Sequence, residues 1–68
     1  MRLYGTDEET INEWSRQLMS KYGVQFRKYS SNEETIYRWS KGLTYELGKP
    51  FQIKPSIHET LENWAILI

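Results

Sequence analysis

Apolar residues recur along this chain in two rhythms. Ile11, Trp14, Leu18 and Tyr22 follow one another at steps of three and four, and so do Ile36, Trp39, Leu43 and Leu47. Ile57, Leu61, Trp64 and Ile68 make a third such set. That spacing lays one apolar stripe along a helix. Each stripe opens on a capping box, Thr6 with Glu9, Ser31 with Glu34 and Ser56 with Glu59, in which the hydroxyl accepts from a first-turn N–H and the carboxylate reaches back to the cap. Gly23 and Gly48 stand where a left-handed residue ends a helix. The pattern predicts a first helix over about 7–22 and two more after Ser31 and Ser56. Between them the rhythm shortens to two: Met1/Leu3, Val24/Phe26 and Phe51/Ile53 alternate with polar residues, as in half-buried strands. Pro50 makes the last an edge strand or a merely extended piece.

The stripes are copies of one another. Glu9-Thr10-Ile11 with Trp14, Glu34-Thr35-Ile36 with Trp39 and Glu59-Thr60-Leu61 with Trp64 lie 25 residues apart. The register extends to Tyr4 and Tyr29, Gly23 and Gly48, Phe26 and Phe51, and Leu18, Leu43 and Ile68. A fixed period of this length signals stacked structural units. The units run approximately over 2–26, 27–51 and 52–68 within a single domain, 1–68. In this register the three tryptophans occupy equivalent core positions.

Connector length then bears on topology. A helix of sixteen residues is about 24 Å long, and segments 23–31 and 48–55 can span about that distance when extended. An antiparallel helix pair needs only ~2–8 residues to turn. Full-length returns therefore favour an α/β domain: three βα repeats forming a small sheet with three amphipathic helices. The alternative is a three-helix bundle with extended connectors.

Composition narrows the functional classes. Nine Lys/Arg balance nine Asp/Glu, so no global charge draws the chain to nucleic acid or an acidic membrane. No apolar run approaches a membrane span, and no secretory leader is visible at Met1–Tyr4. A soluble, cytoplasmic protein is expected. There is no Cys, and a core this small contributes little net stability, which makes pairing with another chain an expected source of more.

Catalytic chemistry finds little foothold. His58 is the only His and Asp7 the only Asp, and Ser15 and Ser40 have no evident base. The carboxylate pairs Glu8–Glu9 and Glu33–Glu34 fall in first helical turns, where acids serve the cap and the helix dipole. His58 and Glu62 share metal-ligand spacing, but two ligands do not make a site. An enzyme, a metal centre or a cofactor is not expected.

Two surfaces carry the functional expectations. On a sheet whose apolar side faces the helices, the other side presents Arg2, Tyr4, Gln25, Arg27, Tyr29, Gln52 and Lys54. This basic, aromatic, acid-free face suits unpaired nucleotides. At the C-terminal end, Ile66, Leu67 and Ile68 belong to an uncharged stretch, and Ile66 stands in register with Arg16 and Lys41. There an apolar patch suits association. The stretch Glu34-Thr35-Ile36-Tyr37-Arg38-Trp39 with Lys41-Gly42 also resembles the recognition-helix region of excisionase and MerR-type winged-helix DNA binders. That resemblance implies a wing over Leu43–Ile53 and keeps DNA binding as a second reading. The leading expectation is a small protein-interaction module, self-associating as a homo-oligomer; the alternative is a nucleic-acid-binding domain.

Overall fold

A computed structural model describes residues 1–68. It contains three helices, α1 (Asp7–Tyr22), α2 (Asn32–Leu47) and α3 (Ile57–Leu67), and no strand. The expected sheet of three βα repeats is therefore overturned, and the chain is the three-helix alternative with extended connectors. The wing implied by the winged-helix resemblance is absent as well, because α2 runs on through Gly42 to Leu47.

The helices begin where the hydroxyls are. Thr6, Ser31 and Ser56 each adopt extended backbone and accept from the N–H of Glu9, Glu34 or Glu59 at 3.1 Å. The reciprocal arm of the capping box does not form. Glu9 instead accepts from the Thr6 hydroxyl at 3.3 Å, and Glu34 is drawn to Arg38 at 2.7 Å. Gly23 (φ 72°) and Gly48 (φ 69°) end α1 and α2 in the left-handed region, their N–H groups donating back to Met19 O and Thr44 O.

The absence of a sheet has a local cause. A strand needs partners for its backbone groups, and here side chains of the following helix supply them. The backbone N–H of Tyr4, Tyr29 and Lys54 donates to the hydroxyl of Thr10, Thr35 and Thr60 at 2.9–3.0 Å. The indole N–H of Trp14, Trp39 and Trp64 donates to the carbonyl of Arg2, Arg27 and Gln52 at 2.8–2.9 Å. Each threonine hydroxyl in turn donates to the carbonyl of its own cap residue, Thr6, Ser31 or Ser56. The Glu-Thr-x-x-x-Trp spacing is thus a clamp. Thr and Trp, one helical turn apart, grip an extended segment at two points and lay it along the helix that follows.

These clamps frame the core. Ten apolar residues are buried, among them all three tryptophans at 1% exposure or less, and the clamp threonines are buried beside them. Phe26 meets Trp39, and Phe51 meets Trp64, edge to face with ring centroids 5.8 Å apart. No buried side-chain nitrogen or oxygen lacks a hydrogen-bond partner. Each extended segment also reaches a second helix. Lys28 pairs with Glu8 of α1, and Phe51 is held by Ser40 and Thr44 of α2. The Met1 ammonium donates to Ala65 O of α3 at 3.1 Å.

Candidate functional site

Without a sheet, the seven residues expected on one basic–aromatic face do not share one. Each group follows its own helix. Arg2 lies over the Tyr4 ring at 4.8 Å, and the Tyr4 hydroxyl accepts from Gln17 on α1. Arg27 lies over Tyr29 at 5.1 Å beside α2. Gln52 and Lys54 lie beside α3, with the Lys54 ammonium 3.5 Å from the side-chain Oε1 of Gln52. Continuity of the face depended on strand pairing, and the clamps prevent that pairing.

The fold instead joins Gln25, Arg27 and Tyr29 to the outer side of α2. Arg38 approaches the Tyr29 ring at 5.0 Å, so one tyrosine carries two guanidinium groups. Along the same helix Tyr37, Lys41 and Tyr45 are exposed at steps of four, with Tyr45 86% exposed. The Lys41 ammonium sits 4.6 Å from the Tyr37 ring. Its hydrogen bonding and its charge hold the Tyr37 phenol below its ordinary pKa. A groove of about 210 Å³ runs between segment 24–29 and α2, with Phe26, Trp39 and Gly42 in its lining. Gly42 is what lets the two elements close, because a Cβ there would lie 2.7 Å from Phe26 Cε1.

That face has no counterpart on the other helices. In the 25-residue register, Tyr37, Lys41 and Tyr45 replace Asn12, Arg16 and Ser20 of α1, and Glu62 and Ile66 of α3. The sequence alone pointed to Tyr37, Arg38 and Lys41 as a binding surface through the winged-helix resemblance, which drew Tyr45 into the wing. The signal for the face is the i, i+4, i+8 spacing of two tyrosines and a lysine on the polar side of a helix.

At the end of α3 the three apolar residues part company. Ile66 is 83% exposed, while Leu67 and Ile68 are half-buried against the core. Leu67 shares its register position with Gln17 and Gly42, and both of those face an extended segment rather than solvent.

The three helix starts meet around a cleft of about 390 Å³. Ile36, Ile53, Pro55 and Ile57 supply its apolar lining, and Asp7, Glu33, Lys54 and His58 its charged and titratable part beside Ser56 and Thr60. His58 Nδ1 is 3.0 Å from Asp7 Oδ1, and Nε2 is 3.6 Å from Glu62. The Asp7 hydrogen bond raises the His58 pKa; desolvation opposes it, and the charges of Glu62 and Asp7 add to the rise. No three His or carboxylate groups gather as metal ligands. Ser40 donates to Phe51 O at 2.5 Å, Glu8 is paired with Lys28, and Glu34 with Arg38. These are structural engagements, and none sets a nucleophile beside a base. No helix is long and apolar enough to cross a membrane. Compared with known protein families, curated proteins and solved structures, the chain finds no match.

Proposed function

We propose that this chain is a non-enzymatic protein-interaction module that pairs with a second copy of itself through the end of α3. The carrying observation is Ile66. It projects into solvent at 83% exposure where the equivalent positions of α1 and α2 hold the cations Arg16 and Lys41. The residues around it, Asn63 through Ile68, carry no charged side chain, so no side-chain charge within that stretch has to be desolvated on pairing. Leu67 and Ile68 extend it at partial exposure while anchoring it to the core. Burial of Ile66 between copies removes apolar surface that the ten-residue core leaves outside.

Sedimentation equilibrium tests the reading. The parent is expected to dimerise, and Ile66→Lys to remain monomeric while keeping its helical circular dichroism. The side chain is already outside the core, so its replacement leaves intramolecular packing in place. A parent that stays monomeric at high concentration refutes the proposal, as does a variant that pairs as well as the parent.

A further inference from the structure

The outer side of α2 carries charge and aromatic surface that pairing through α3 leaves unused. From its geometry we infer that this face is a binding site for single-stranded nucleic acid, with tyrosines stacking on unpaired bases and the surrounding cations contacting phosphates. The inference rests on different residues from the self-association proposal and stands or falls separately.

Charge complementarity identifies the occupant. Arg27, Arg38 and Lys41 surround this one helix face, and neither Arg27 nor Lys41 is paired with any carboxylate. Arg38 is tied to Glu34 through Nε, which fixes its guanidinium beside Tyr29. Two acids share the face, Glu34 in its pair with Arg38 and Glu46 at the edge of the groove, so Arg27 and Lys41 supply its unpaired positive charge. The aromatic half of the argument is accessibility. Tyr37 is 51% and Tyr45 86% exposed, and they stand two turns apart, about 12 Å along the helix axis, with Lys41 between them. Sequence-independent strand binding needs this combination, a cationic track with π-faces spaced along it. A duplex offers no free base faces, so exposed rings bring it no stacking, only phosphate attraction. The groove beside Tyr45 closes the site on one side, with Phe26 and Trp39 beneath a rim of Gln25, Arg27 and Tyr29. Gln25 adds an amide that can both donate to and accept from a base edge.

Fluorescence anisotropy with labelled oligo(dT), oligo(U) and a DNA duplex of equal length, each at low and moderate salt, tests the inference. Both single strands are expected to bind more tightly than the duplex, with affinity falling as salt rises. Tyr45→Ser should weaken single-strand binding roughly fivefold to a hundredfold, the range of one lost base stack. Arg27→Gln should weaken it too and flatten the salt dependence. Both side chains lie outside the core, and Lys41→Gln serves if either variant fails to fold. Ile66→Lys should leave oligonucleotide affinity unchanged, which separates this site from the dimer contact. The inference is overturned if no single strand binds at low salt. It is overturned equally if the duplex binds as well as the strands, or if Tyr45→Ser leaves affinity untouched. Should Tyr45→Ser disrupt dimerisation while no oligonucleotide binds, the face is a protein contact and the inference fails.

Discussion

Replacing Thr35 by Val removes one oxygen from the middle clamp and little else. Val keeps the shape and the burial of Thr35, which is 0% exposed. The Ser31 carbonyl keeps a donor, since it also accepts the Thr35 backbone N–H at 3.0 Å. The Tyr29 N–H has no such reserve, because the Thr35 hydroxyl at 2.9 Å is its partner. A partly buried donor left unsatisfied costs about 1–3 kcal/mol. A chain of this size has roughly 3–10 kcal/mol of total stability at ~0.05–0.15 kcal/mol per residue, so the loss is a large fraction. For small domains it corresponds to a fall in Tm of roughly 5–20 °C. Amide hydrogen exchange gives the residue-level assay. In the parent, the amides of Tyr4, Tyr29 and Lys54 should be protected although none lies in a helix. Thr35→Val should selectively expose Tyr29, and Thr60→Val should expose Lys54. A Tyr29 amide that exchanges freely in the parent would refute the clamp. So would a Thr35→Val melting point within about one degree of the parent's.

Other consequences follow from single contacts. Gly42→Ala gains about 1 kcal/mol of helix propensity but drives its methyl to 2.7 Å from Phe26 Cε1. Overpacking of about 1–3 kcal/mol should win, lowering the Tm, with Phe26→Leu in the same chain restoring part of it. The raised His58 pKa makes its contribution to stability fully present below the unfolded-state value and lost as pH rises through the folded-state value. Thermal melts should therefore decline slightly as pH rises from the unfolded-state histidine value of about 6.5 through the raised folded-state value, and His58→Gln should remove that decline.

The helices were legible because cap and stripe agree at all three starts and glycines stop the first two, and the first helix spans the expected 7–22. The tryptophan register was legible too, since each indole lies on its helix's apolar stripe. The sheet was not, because alternation reports which residues bury, not what bonds the backbone. Phe26 is buried between exposed Gln25 and Arg27, as a strand would have it, yet the carbonyl of Arg27 belongs to Trp39. Thr10, Thr35 and Thr60 were visible as part of the repeated motif, but their second hydrogen bond requires the segment to fold back onto the helix. Alternation also fails at Ile53, which is 51% exposed. It stands where Leu3 and Lys28 stand, and Lys28 reaches outward to Glu8. The candidate face on α2 was hidden because its residues come from a helix and from a connector that sequence reasoning had assigned to a sheet.

The bond between the Met1 ammonium and Ala65 O places the first segment against the last helix, much as Phe51 lies against α2 through Ser40. In the 25-residue register, seven residues equivalent to Thr44–Pro50 would lead from Ile68 back to Met1. A circular permutant therefore needs no invented linker: a copy of Thr44–Pro50 closes the ring, and the chain can be reopened in either existing connector. Cutting between Gly23 and Val24 leaves every threonine and tryptophan clamp within a continuous stretch, because each clamp spans only the segment and the helix after it. Such a permutant should fold with its three tryptophans buried as before, and the order in which the units are synthesised would carry no structural information.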